Sequence, residues 1–155
     1  MTRCGLIAII GEPNAGKSTL LNQIVGCKVS IVTHKVQTTR TIIRGIAVSG
    51  SNQLVFVDTP GLFSPKHKLD RAMVAAAWKV TKDTDVILFV IEAHLGVTAG
   101  VESIIENLHK ISKKQKIILV VNKIDRTKKR DLLCVIKDAN AKLDFSKTFL
   151  VSATK

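Results

Sequence analysis

The chain has 155 residues, 46% of them hydrophobic, enough for one domain with a sizeable core and too few for two ordinary ones. A formal net charge of +12 favours anionic company such as RNA, phospholipid or nucleotide phosphates, but five Phe, one Trp and no Tyr leave no aromatic platform for stacking single-stranded bases. No apolar run nears the roughly 20 residues of a spanning helix, and Cys4, Cys27 and Cys134 are too scattered for a disulfide framework or a zinc site, which fits a reducing cytosol.

The opening residues up to Ile10 superficially resemble a secretory signal, yet the apolar run is short and leads into a glycine loop, so it reads as a buried strand over Leu6 to Ile10. Gly11-Glu12-Pro13-Asn14-Ala15-Gly16-Lys17-Ser18 then fits G-x-x-x-x-G-K-[ST] between that strand and a helix predicted over Lys17 to Val25. A polyphosphate needs several donors at close range. Gly11 and Gly16 let the backbone approach it, and the loop through Asn14 and Ala15 turns successive N–H groups inward. The helix N-terminus adds partial positive charge. Lys17 supplies a full charge to the β- and γ-oxygens, Ser18 a hydroxyl to Mg²⁺, and Thr19 a donor toward the α-phosphate.

Gly26 to Arg40 is polar and without clear periodicity. It contains Gln37-Thr38-Thr39-Arg40, in which Thr39, taken over Thr38, is the candidate to complete the Mg²⁺ shell and contact the γ-phosphate; two threonines opening the next strand are the plainer alternative. Thr41 to Ser49 reads as a strand, and Gly50-Ser51-Asn52 turns it into Gln53 to Asp58 as an antiparallel edge hairpin. The second strand runs into Asp58-Thr59-Pro60-Gly61: Asp58 can hold Mg²⁺ through a water, and Gly61 offers an N–H to the γ-phosphate.

Further strands are predicted at Val86 to Ile91, Ile117 to Val121 and Phe149 to Val151, with helices at Asp70 to Lys82, Val101 to Lys113 and Lys128 to Leu143. This alternation predicts an α/β three-layer sandwich of the P-loop NTPase type, built on a mostly parallel six-stranded sheet with one antiparallel edge strand. The last strand is followed only by Ser152-Ala153-Thr154-Lys155, so the helix expected to cover its side of the sheet is missing, and residues 1–155 are expected to be one nucleotide-binding domain cut short after its final strand.

Asn122-Lys123-Ile124-Asp125 ends the fifth strand as N-K-x-D. An ionised Asp125 accepts from two adjacent donors, which guanine presents as N1–H and its exocyclic amine and adenine does not. Asn122 is expected to tie this loop to the phosphate loop and meet the N7 side of the purine, with the Lys123 stem over the base. The backbone of Ser152, Ala153 or Thr154 can add an N–H to guanine O6. The basic runs Lys110 to Lys116 and Lys123 to Arg130 divide evenly between solvated helix ends and a nucleic-acid contact surface.

With GEPNAGKS, QTTR, DTPGLF, NKID and VSA in order, and KVSIVTHKVQTTR and KLDRAMVAAAW around two mobile segments, the chain resembles the TrmE–Era group of translation-factor-related P-loop GTPases, Era-type members most closely. Gln37 and Thr41 stand where TrmE and EngA relatives usually have Gly and Asp. The resemblance implies a bacterial or organellar cytoplasmic GTPase, in places peripheral at the inner membrane and expected to be a monomer. It binds GTP, GDP and Mg²⁺ and acts on small-subunit ribosomal RNA and the 30S subunit. In that group the RNA is gripped mainly by a C-terminal KH domain, which this chain lacks, so its basic runs do not substitute for that domain. Leu62 stands where Ras-like proteins have a water-orienting Gln, which implies slow hydrolysis. Asn14 matches a phosphate-loop position that can help hold a potassium ion in place of an arginine finger. Competing readings are a non-hydrolysing guanine-nucleotide-binding module, an incomplete fragment, and an ATPase or kinase, the last opposed by N-K-x-D.

Overall fold

The computed structural model describes residues 3–30, 32, 42–63, 65, 67–111 and 115–154. Within them the chain runs β1 (Arg3–Gly11), α1 (Lys17–Val25), β2 (Ile43–Ser49), β3 (Asn52–Asp58), α2 (Lys68–Lys82), β4 (Val86–Glu92), α3 (Ala99–Ile111), β5 (Lys116–Asn122), a 3-10 turn (Ile124–Arg126), α4 (Lys129–Lys142) and β6 (Lys147–Leu150). The six strands form one sheet in the order β2-β3-β1-β4-β5-β6. Only β2 is antiparallel to its neighbour, through a two-residue hairpin whose Gly50 takes a φ of 59°. Gly at the first central position is what a tight turn matching the strand twist requires.

The apolar runs sort residue by residue onto two faces, as the pleat dictates. Ala8, Ile10, Ile87, Phe89, Ile91, Leu119 and Val121 join α2, α3 and α4 in one core; Ile7, Ile9, Val90 and Val120 join α1 in the other. Burial on both faces is why these strands read as near-continuous Val/Ile/Leu rather than alternating. The first face is the better filled: α3 alone inserts Val101, Ile104, Ile105 and Leu108, each contributing about 1.5–3 kcal/mol of transfer free energy. On the α1 face Val86, Leu88 and Ile118 remain half-buried.

Most element ends lie one to three residues from the sequence reading, and two of the differences have a visible cause. Helix α3 begins at Ala99, ahead of Val101, because the Thr98 hydroxyl accepts the Val101 N–H at 3.1 Å and caps the first turn. Strand β6 spans Lys147–Leu150 rather than Phe149 to Val151: it is an edge strand with exposed side chains, so its extent follows pairing with β5, not hydrophobic pattern. β1 lies between β3 and β4, so successive connections leave to opposite sides of it. In open α/β sheets the crevice beyond the strand carboxyl ends at such a reversal is where ligands bind, and the polar ends of β3, β4 and β5 open there.

Candidate functional site

The phosphate loop leaves β1 at Gly11, whose φ of 152° and lack of a Cβ keep the backbone against the Val90 carbonyl; a methyl there would run into that oxygen. Gly16, with φ 93°, is the N-cap of α1 and makes no side-chain cap, and the helix has no acid in its first turn. The start of α1 therefore suits an anion, favoured further by the helix dipole. Asn14 adopts the left-handed conformation (φ 64°) with its side chain exposed, and Ala15 is buried beneath the loop. Lys17 folds back into the loop it follows: its Nζ donates to Glu12 O at 2.9 Å and Gly11 O at 3.3 Å. Burial pushes its pKa down to about 8, against the opposing pull of the Asp58 and Glu12 carboxylates. A polyphosphate in the loop would supply the negative charge this ammonium lacks. Thr19 is half-buried one residue beyond Ser18.

Asp58, fully buried at the end of β3, sits opposite the start of α1. Its Oδ2 accepts from the Ser18 hydroxyl at 2.6 Å and the Ser30 hydroxyl at 2.8 Å. Asn22 in turn holds Ser30, accepting the Val29 and Ser30 N–H groups on Oδ1 and donating to Ser30 O. The predicted metal ligands Ser18 and Asp58 are therefore adjacent, and one carboxylate plus hydroxyls is the hard-oxygen set that Mg²⁺ completes with phosphates and water. No cluster of three or more His, Cys, Asp or Glu able to hold a metal occurs among the described residues. Thr39, the third predicted ligand, lies outside the described residues, as do Thr38 and Thr41.

The loop after Asp58 is anchored twice. The Thr59 hydroxyl donates to Ile9 O at 2.9 Å, and the Leu62 N–H donates to Gly11 O at 2.9 Å. Gly61 lies against Pro13 so closely that a Cβ would come within 2.8 Å of the Pro13 nitrogen. Leu62 is 2% exposed and belongs to the larger core.

The base-reading loop is assembled around Asn122, which is buried at the end of β5. Its Nδ2 donates to Ala15 O at 2.9 Å, while Oδ1 accepts the Lys123 N–H at 2.8 Å and the Ala153 N–H at 3.1 Å. One amide thus joins the phosphate loop, N-K-x-D and the loop after β6. Asp125 Oδ1 accepts the Ser152 hydroxyl at 2.6 Å, with Thr154 Oγ1 3.5 Å from the same hydroxyl. The expected tie from Asn122 to the phosphate loop is present. The sequence reading gives Ser30, Asn22, Thr59 and Glu92 no role of their own. Glu92, ending β4 as Asp58 ends β3 and Asn122 ends β5, carried the same signal of a polar residue closing an apolar run.

A family described as 50S ribosome-binding GTPase matches residues 6–123 of the chain, from β1 through the phosphate loop to the first half of N-K-x-D. The chain belongs to this GTPase family. Within the family's reach lie the GTPase Era of Dinoroseobacter shibae, 57% identical over 155 residues (99% of this chain, 50% of that protein), and that of Mesorhizobium japonicum, 53% identical over 152 residues (98% and 48%). Among solved structures, Era in complex with MgGDPNP and nucleotides 1506–1542 of 16S ribosomal RNA superposes with a TM-score of 0.90 at 37% identity, covering 99% of this chain and 52% of that one. A variant of Aquifex aeolicus Era bound to GDP and AlF4⁻ superposes with a TM-score of 0.89 at 38% identity, covering 99% and 52%. The chain spans about half the length of the curated relatives it matches. The fold is accordingly that of Era's GTPase half, five parallel neighbours and one antiparallel edge included.

Proposed function

We propose that the chain is a magnesium-dependent guanine-nucleotide switch that hydrolyses GTP slowly. The observation that carries this reading is the Asn122 junction, which fixes the phosphate loop and the base-reading loop relative to each other through Ala15 O, Lys123 N–H and Ala153 N–H. Asp125, oriented by Ser152, accepts the two guanine donors; against adenine the carboxylate stays unmatched, a penalty that can reach 10⁴ or more. Asn122 keeps its second Nδ2 proton for the N7 side. Gly11, Ala15, Gly16 and Thr19 present backbone and hydroxyl donors to the phosphates, and Lys17 neutralises the β- and γ-oxygens. Ser18, Asp58 and Thr39 would hold Mg²⁺, which when bound draws charge from those oxygens. Gly61 donates its N–H to the γ-phosphate as its loop moves off Pro13.

With Leu62 committed to the core, no side chain at that position orients water, and turnover in the ~10⁻⁴ to 10⁻² s⁻¹ range of unassisted switches is expected. Asn14, exposed on the loop, is the candidate potassium ligand; GTP turnover at equal rates in potassium and sodium would remove it. The likeness to Era bound to 16S ribosomal RNA supports extending the proposal to small-subunit ribosomal RNA and the 30S subunit as partners of the full-length protein. Cytoplasmic action as a monomer, with peripheral attachment to the inner membrane, belongs to the same proposal and rests on the sequence resemblance alone. No helix among the described residues is long and apolar enough to cross a membrane.

The test is affinity for GDP, xanthosine diphosphate and ADP before and after Asp125→Asn. The amide is expected to move preference from guanine to xanthine, whose carbonyl replaces the exocyclic amine. An unchanged ranking would remove Asp125 as the base reader. Single-turnover phosphate release, set against Lys17→Ala, separates a hydrolase from a module that only binds.

A further inference from the structure

Glu92 closes β4 in register with Asn122 on β5, and the N–H of the residue after it, Ala93, donates to Asn122 O at 2.8 Å. Its carboxylate is nine-tenths covered, and three side-chain nitrogens converge on one oxygen, Oε1: Lys123 Nζ at 2.8 Å, His94 Nδ1 at 3.0 Å and Arg126 Nη1 at 3.9 Å. A carboxylate this buried is retained only when matched, so the ensemble is selective for charge at that point.

Lys123 is the closest partner, and its geometry is unusual. It takes a φ of 61°, left-handed for a residue that carries a Cβ, where β5 breaks into the base-reading loop. Its stem returns across the mouth of the site, with Cε 4.0 Å from where a Cβ on Gly16 would lie, before the ammonium reaches Glu92. The stem is therefore stretched between a phosphate-loop glycine at one point and a fixed carboxylate at its end. An unanchored lysine samples many rotamers, and immobilising it on ligand binding weakens the complex.

We infer that Glu92 is a positioning residue for base recognition: by holding the Lys123 ammonium it lays the lysine stem across the phosphate loop as a preformed apolar rest for the purine face. This rests on the guanine-binding reading above. Glu92 touches neither the phosphates nor the hydrogen-bonding edge of the base. Lys123 is the shortest of its three contacts, and an effect that passes through that lysine separates this role from a carboxylate that merely stabilises the end of β4.

A double-mutant cycle decides between the two. GDP release, followed with a fluorescent GDP analogue, is measured for the parent chain, Glu92→Gln, Lys123→Met and the pair, with pyrophosphate binding as a ligand lacking the base. Glu92→Gln is expected to speed GDP release about tenfold in the parent and less than about twofold in the Lys123→Met background, leaving pyrophosphate binding within about twofold. Equal acceleration in both backgrounds, or an equal loss for pyrophosphate, would make Glu92 a structural residue and overturn the inference. Glu92→Asp, which keeps the charge and withdraws it by one methylene, reads the same contact with less disturbance of β4: an intermediate acceleration confined to the parent background supports the role, and none refutes it. The parent's own GDP affinity reports on the guanine-binding reading separately, since a chain that takes up pyrophosphate but no GDP contradicts that reading before any Glu92 variant is compared.

Discussion

The two halves of the site are built from different material. The phosphate half is made of backbone: Gly11 and Gly16 take conformations and approaches that no other residue tolerates, and α1 offers uncapped N–H groups. The half proposed for the base is made of side chains from three separate places, Glu92 at the end of β4, Asn122, Lys123 and Asp125 after β5, and Ser152 after β6. Backbone suits a ligand that is the same in every nucleotide, because it presents many equivalent donors. Side chains suit the part that must be told apart, because a single carboxylate or amide can be exchanged without refolding the loop.

This contrast predicts how each half fails. Gly16→Ala is expected to do most harm, because the added methyl must sit at φ 93° and would strike Asn122 Nδ2, so both halves are disturbed at once. GDP and pyrophosphate affinities should each fall about 100-fold or more in titration calorimetry; loss for GDP alone would mean that the halves are less tightly joined than the Asn122 junction implies. Next comes pH. Lys17, held down to about 8 by burial in the nucleotide-free chain, must be protonated to meet the phosphates. Binding therefore takes up a proton above that pH, and affinity for both ligands should be level below about 8 and fall by up to about tenfold per unit above it, until the bound-state pKa is passed. A Lys17→Arg variant, charged throughout, should lose that slope. The smallest effect belongs to the base half: Ser152→Ala removes one hydrogen bond to Asp125 and should weaken GDP about fivefold while sparing pyrophosphate.

The same contrast explains what could be read without coordinates. The phosphate half occupies eight consecutive residues, Gly11 to Ser18, so its chemistry is visible as a motif. The inner strands are legible because both faces are buried, which leaves uninterrupted apolar runs, and those of β3, β4 and β5 end in a polar residue at the crevice. Glu92 escaped because its partners lie on another loop. Ser30 and Asn22 escaped because the stretch after α1 has no period to mark which hydroxyl turns inward. The start of α3 was misplaced because the cap at Thr98 precedes the apolar stripe. That Leu62 carries no water-orienting group is visible in the sequence, but only the packed structure shows that it is buried in the larger core.

The central claim is that guanine is chosen by a carboxylate held in advance against a shared phosphate cradle. Titration calorimetry of the 155-residue chain with GDP and with ADP, each with magnesium, tests it most directly. The account predicts that GDP binds on the order of 10⁴-fold or more tightly than ADP. Equal affinities, or binding of neither, would contradict it.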